Sequence, residues 1–381
     1  MMEIKPNGTM NEDQVCLDHH QALRPVSGPV FVVGVWRSGT SLLYALLNQH
    51  PDIGLFYEGD LAVLRPMFHV AYSRKSWLRR WEYWNAGVSR HGLESFRPPA
   101  SITSLAEAAE AAGREYCKKK GATIWGCKSP SYYDRLVRLA RDFPQARFVV
   151  IWRDPEDICR SIRNAAAHSR WFAGSGMMLR AILACEMLKK QCEALISLGA
   201  PLHQIHYQEL VGDTANTMRG ICEFVGVPFI PAVTTLEGAD RGAVFEGGHH
   251  SSVKGTQIVS SRERKGTLPP ATEKKVRQYK ALWKAQFGEN WLLCRYLSDV
   301  SETTPSKRER LTDRLLFSLL RLKDDVPRAA YSVVPLWVWI WYRWVKYRKQ
   351  PYHDKPSLSA RQQYRSSRQD AQAGVAHQRS D

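Results

Sequence analysis

The chain has 381 residues, 44% hydrophobic and 24% charged, a globular balance that excludes a fibrous or wholly disordered protein and can bury a sizeable core. Its net charge of +17 favours anionic partners: nucleotides, sulfated or phosphorylated substrates, nucleic acid, or an acidic membrane face. Eight cysteines are scattered without a C-x-x-C pair or a Cys/His cluster of zinc spacing, so no metal site is expected; they read as reduced thiols, which suits a cytoplasmic protein.

Residues 1–27 are mixed and polar, lack an apolar targeting core and read as a flexible leader. Val30–Val35 is a continuous apolar, β-branched run, as expected for a strand buried on both faces of a parallel sheet. A Gly- and Ser-containing turn follows, then a helix with Leu42, Leu43, Leu46 and Leu47 on one face, ended near Asn48–Pro51. Ile53–Tyr57 is a second strand, and residues 61–120 look largely helical. Thr123–Cys127 and Arg147–Trp152 predict further strands, with a helix over Tyr132–Phe143 between them. Asp154 can cap the next helix, with Pro155 at its first position and acids in its first turn. Met177–Leu198 predicts a helix stopped by Gly199, His203–Tyr207 a strand, and Thr217–Val225 a helix ending before Gly226. Strand and helix alternate, which predicts a three-layer α/β domain with a mainly parallel sheet over residues 28–300. Residues 301–350 form a basic aromatic extension, and residues 351–381 are polar and expected to be disordered.

The first strand–turn–helix unit reads Gly34-Val35-Trp36-Arg37-Ser38-Gly39-Thr40-Ser41. A glycine turn leading into a helix N-terminus presents backbone N–H groups and a positive dipole end to an anion. Arg37, Ser38, Thr40 and Ser41 can add side-chain donors, and the N–H of Leu42 extends the cradle. The frame matches the nucleotide-triphosphatase loop G-x-x-x-x-G-K-[ST], except that Thr40 stands where the lysine belongs. That lysine meets the β- and γ-phosphates, so its loss counts against a kinase. A second anion-binding segment follows the strand at 147–152, where Arg153 faces the ligand crevice of an open α/β sheet and Ser161 lies two turns into the next helix.

Trp36-Arg37-Ser38-Gly39-Thr40-Ser41 and Arg153 with Ser161, inside R-D-P-x-D-x-x-x-S, together resemble the 5′-phosphosulfate loop and the 3′-phosphate motif of the sulfotransferase superfamily. Gly126-Cys127-Lys128-Ser129-Pro130-Ser131 is similar to the lysine-Ser/Thr-Pro strand end of its bacterial and glycan members, and His206-Tyr207-Gln208-Glu209-Leu210 to a later strand end. Arg262-Glu263-Arg264-Lys265-Gly266 resembles its late basic loop over the 3′-phosphate, which assigns Arg264 to the donor. The resemblance spans about residues 28–295. It implies a P-loop, nucleotide-kinase-like fold, 3′-phosphoadenosine 5′-phosphosulfate (PAPS) as co-substrate, and no metal.

Sulfuryl transfer is an in-line displacement comparable to phosphoryl transfer. The protein must align the acceptor, take its proton and stabilise charge on the leaving phosphate. Lys128, at a strand end on the crevice side, is the candidate for the last duty, shared with Arg37 and Thr40. Glu58, just after Ile53–Tyr57, is the candidate base, as a glutamate in bacterial and glycan members resembles it; Asp60 and His50 compete. The lysine-Ser-Pro segment leans towards a glycan or glycolipid hydroxyl as acceptor, and the C-terminal extension towards a lipophilic alcohol.

Within residues 306–350, Val333–Tyr342 is apolar and Trp-rich, shorter than the roughly 20 residues of a spanning helix and flanked by Arg and Lys. Such a pattern suits peripheral contact with an anionic membrane, or a C-terminal helix packed on the domain. Two rivals share parts of this sequence: a kinase-like phosphotransferase and a non-enzymatic basic membrane-binding protein. No nucleic-acid-binding motif is present, so nucleic acid is not an expected partner.

Overall fold

Val30–Val33 forms strand β1, Ile53–Tyr57 β2, Ile124–Lys128 β3, Arg147–Trp152 β4 and Leu202–His206 β5. They join as one sheet in the order β2-β3-β1-β4-β5, every pairing parallel, as the alternation of strand and helix predicts. The computed structural model describes residues 28–58, 81, 91–93, 95–99, 101–167, 169, 171–174, 176–240, 255–258, 267–330, 334, 337, 338 and 341.

Side-chain alternation along each strand feeds two cores. Phe31, Val33, Phe148, Val150 and Trp152 pack on one face with helices α2 (Leu105–Lys120), α3 (Leu136–Asp142), α4 (Pro155–Ala166), α5 (Met177–Ser197) and α8 (Pro270–Phe287). Val30, Val32, Val149 and Ile151 pack on the other with α1 (Thr40–Leu47), α6 (Tyr207–Gly212) and α7 (Thr214–Val225). Burying each such Val, Ile or Phe contributes about 1.5–3 kcal/mol. Because both faces are covered, β1 is buried along its whole length, which is why it reads as an unbroken apolar run.

Local signals act where expected. Asp154 Oδ1 accepts from Glu156 N at 2.8 Å and caps α4, with Pro155 at its first position. Gly199 and Gly226, with φ of +66° and +83°, follow α5 and α7 in the left-handed region. Two readings need correction. β1 stops at Val33, because the backbone turns into the loop before Val35. The helix expected over Tyr132–Phe143 begins only at Leu136; Ser129 Oγ accepts from Ser131 N and starts a separate 3-10 turn at Pro130–Tyr132. The short helix α9 (Leu292–Arg295) precedes a long helix, α10 (Lys307–Ala330), which packs on α5. The expected leader, the polar tail at 351–381 and most of 61–104 lie outside the described residues; of the stretch 61–120 expected to be helical, Leu105–Lys120 is a helix and residues 95–99 and 101–104 are turns and coil.

Candidate active site

All strands run in parallel, so their C-terminal ends share one edge, where open α/β sheets form their ligand crevice. Sheet order then dictates the layout: Glu58 beyond β2, Lys128 ending β3, the loop from Gly34 beyond β1, Arg153 beyond β4 and Tyr207 beyond β5. Two of these edge residues are non-glycines with positive φ, Arg37 at 68° and Glu58 at 54°. Such strain costs of order 1–3 kcal/mol and collects where a ligand is handled.

The loop is built tightly around backbone. A Cβ on Gly34 would lie 2.4 Å from Ser38 Oγ and 2.7 Å from the Ile151 carbonyl oxygen. On Gly39, whose φ is +106°, it would lie 2.5 Å from the Tyr207 ring. Helix α1 has no side-chain cap and no acid in its first turn. Leu43 N is the first amide to close a helical bond, at 3.0 Å to Gly39 O, so the N–H groups of Thr40, Ser41 and Leu42 have no intrahelical acceptor. The Leu42 side chain itself sits in the core; only its amide serves the loop. Ser38 Oγ is buried with no hydrogen-bond partner among the described residues. Free amides, a dipole end and an orphaned hydroxyl fit a phosphate group.

The loop and the segment after β4 close on each other. Arg37 Nε donates to Ser161 Oγ at 3.0 Å, and Arg153 Nη1 donates to the Arg37 carbonyl oxygen at 2.7 Å. Arg153 stacks over the Tyr207 ring, 4.4 Å from its centroid. Behind them, fully buried Lys280 of α8 bonds Asp154 Oδ2 at 2.9 Å and Glu156 Oε2 at 3.2 Å, which pins the start of α4. Burial raises the Asp154 pKa, and the Lys280 ammonium opposes that rise.

On the other side of the loop, Lys128 is completely buried and donates to Glu58 Oε1 at 2.7 Å. Glu58 N also donates to the Lys128 carbonyl oxygen at 2.6 Å. The ammonium lies 3.7 Å from the Tyr57 ring centroid, and Tyr57 OH shares a 2.9 Å hydrogen bond with Ser41 Oγ. Burial disfavours the lysine's charge, but the Glu58 carboxylate and Tyr57 outweigh it and raise the pKa above the usual lysine value. Burial chiefly raises the Tyr57 pKa as well, so its hydroxyl stays protonated at neutral pH. Lys128, Glu58 and the loop from Gly34 are thus linked at one edge.

The structure therefore brings Arg37, Ser38, Gly39, Thr40, Ser41, Arg153 and Ser161 to one side of the crevice, and Glu58 with Lys128 beside them. Arg264 and Asp60 lie outside the described residues. His50 precedes β2, at the opposite end of that strand from Glu58; its Nδ1 accepts from Asp52 N and its Nε2 bonds the Pro228 carbonyl, so it is not near the loop. Tyr57 and Lys280 carry no motif, and Tyr207 lies in the segment His206–Leu210 without a role of its own. Tyr57 could have been found as the strand-end neighbour of Glu58; Lys280 had no local signal. Among the described residues no group of three or more His, Cys, Asp or Glu is placed to share a metal ion.

The sequence profile of the sulfotransferase family matches residues 29–231. The protein-tyrosine sulfotransferase of Drosophila melanogaster is 29% identical over 209 residues, 54% of this chain and 39% of that protein. Protein-tyrosine sulfotransferase 1 of Danio rerio is 27% identical over 215 residues, 54% of each chain. The match thus spans about half the length of these relatives or less. The sulfotransferase domain of the Synechococcus PCC 7002 olefin synthase superposes with a TM-score of 0.45 at 20% identity, covering 66% of this chain and 92% of that domain.

Proposed function

This chain belongs to the sulfotransferase family, and we propose that it transfers a sulfuryl group from PAPS to an acceptor hydroxyl. The observation that carries this reading is the closure of the two anion-binding segments, Arg37 Nε on Ser161 Oγ with Arg153 on the Arg37 carbonyl. A donor with phosphates at both its 5′ and 3′ ends needs two such segments side by side.

The loop amides of Thr40, Ser41 and Leu42, with Arg37 and Ser38, hold the 5′-phosphosulfate end, and Arg153 with Ser161 holds the 3′-phosphate. Glu58 takes the proton of the acceptor hydroxyl as its oxygen bonds to sulfur. As the bond from sulfur to the bridging oxygen breaks, Lys128 and the loop amides receive the charge left on the phosphate. Tyr57 holds Lys128 and Ser41 in register for this. The pairing of Lys128 with Glu58 keeps the amine charged and the carboxylate anchored at the mouth.

The acceptor hydroxyl belongs to a glycan, glycolipid or lipophilic alcohol. A second acceptor class, a tyrosine side chain, is favoured by the relatives named protein-tyrosine sulfotransferases. Trp36 of the loop also packs against buried Tyr133 and half-exposed Trp171, with ring centroids 5.0 and 5.4 Å away, so that Trp171 offers an aromatic face to a phenol.

The test is a thermal-shift titration with 3′,5′-ADP, the desulfated donor, beside ADP and ATP with and without Mg. Stabilisation by 3′,5′-ADP without metal is expected. Stabilisation by Mg–ATP alone would instead identify a phosphotransferase. An acceptor panel of tyrosine peptide, glycolipid and long-chain alcohol then separates the acceptor classes.

A further inference from the structure

Helix α10 has two working faces. The inner face holds Phe317 and Asp313, both buried; Asp313 receives Lys275 Nζ at 2.5 Å and Tyr279 OH at 3.1 Å. Arg314 Nη2 donates to Glu186 of α5 at 2.7 Å, and Arg321 bonds Asp134. The outer face carries Leu311, Leu315, Leu319 and Leu322, each between 57% and 64% exposed, with Leu316 beside them at 42%. Steps of four, four and three residues keep the first four within a stripe of about 80° on an α-helix. With 24 residues, α10 is about 36 Å long at roughly 1.5 Å per residue. A contiguous apolar strip on an otherwise polar surface marks a contact site.

The rim of this stripe is cationic. Lys307, Arg308 and Lys323 are exposed around it. Glu309, in the first turn, is tied into the helix cap: Ser306 N donates to its Oε2 at 2.8 Å while Glu309 N donates to Ser306 Oγ; Asp324 and Asp325 follow Lys323 in the sequence. Further along the chain, Trp337 and Trp341 are also half-exposed. We infer that the outer face of α10 docks on an anionic lipid bilayer, leucines in the headgroup boundary and Lys307, Arg308 and Lys323 on acidic headgroups. The charge argues for lipid over a second copy of the chain. Pairing would bring together two chains that each carry +17, whereas acidic headgroups neutralise that charge. Among the described residues no helix is long and apolar enough to cross a membrane.

The inner face explains what docking would position. Arg321 bonds Asp134, the neighbour of Tyr133, which packs on Trp36 of the phosphate loop. Leu320 fills the space beside Gly176, at the end of the segment that carries Trp171.

The experiment is cosedimentation of the full chain with vesicles of phosphatidylcholine, alone or with about 30% phosphatidylserine, at about 0.15 M salt. The variant Leu311→Gln/Leu315→Gln/Leu319→Gln/Leu322→Gln changes only exposed side chains, and its melting curve and 3′,5′-ADP shift report that it is folded. Expected are binding to the phosphatidylserine vesicles, little to the neutral ones, and a fall of roughly tenfold or more in the variant. A second variant, Lys307→Glu/Arg308→Glu/Lys323→Glu, should lose binding to the acidic vesicles by a similar factor. No binding by the parent chain, or equal binding by the leucine variant, would overturn the proposal. So would light scattering that finds the parent dimeric and the leucine variant monomeric, which would assign the stripe to a second copy.

Discussion

Replacing Glu58 by Gln removes one charge and almost no volume. Glu58 Oε1 lies 2.7 Å from Lys128 Nζ, a group with no exposed surface, while Glu58 is 26% exposed. At an effective dielectric of about 20, two unit charges this close attract by roughly 6 kcal/mol before desolvation is subtracted. The amide oxygen of the variant would still accept from the ammonium, so the net loss of stability should be about 1–3 kcal/mol, a fall of roughly 2–5 °C in melting temperature. The effect on turnover is separate. A carboxylate acting as general base contributes about 10²–10⁴-fold, and an amide cannot take the proton. The assay follows transfer of labelled sulfate from PAPS to acceptor, with the 3′,5′-ADP thermal shift measured in parallel. A rate loss of that size with the nucleotide shift preserved is expected. A Glu58→Gln variant at full rate would remove Glu58 from the chemistry, and one that loses the nucleotide shift along with the rate would make it part of the donor pocket.

Ser161→Ala removes the acceptor of Arg37 Nε and a hydroxyl of the 3′ segment, so 3′,5′-ADP should bind about 10–100-fold more weakly by calorimetry at little cost in stability. Lys280→Met leaves Asp154 and Glu156 buried without their shared cation; denaturant titration should show a loss of about 3–5 kcal/mol. His206 is buried and stacked on Tyr296 at 4.0 Å, and burial, with the Arg153 charge nearby, pushes its pKa down to about 3. The folded state therefore keeps it neutral while the unfolded chain protonates it below about pH 6.5, so this contribution is full above that pH and lost as pH falls towards 3. Chemical unfolding of the parent should weaken by up to about 1.4 kcal/mol per pH unit across that window, and His206→Asn, which can still cap α6, should flatten the slope.

Local sequence determined the parts whose physics is local. Val30–Val33, Ile53–Tyr57 and Arg147–Trp152 are strands because apolar, mostly β-branched or aromatic runs fit a sheet covered on both faces. Asp154 and Pro155 start α4, and Gly34 with Gly39 shape the loop, because caps and tight turns depend only on a few adjacent residues. Helix α10 was harder to read. Leu311, Leu315, Leu319 and Leu322 fall on one stripe, but that stripe faces outwards; the inner face is held by Asp313, Phe317 and Arg321, whose partners lie on other elements. Tertiary structure alone decided what touches what in the candidate site. Glu58 meets Lys128 across 70 residues because β2 pairs with β3 in the register Tyr57↔Lys128, and Arg37 meets Ser161 across 124 because β1 lies beside β4. Lys280 reaches Asp154 only because α8 folds back on α4. Residue types suited to phosphate chemistry can be read from a motif, but the distances that give Lys128 its raised pKa and Arg37 its partner arise from strand order and register, which no local window of sequence contains.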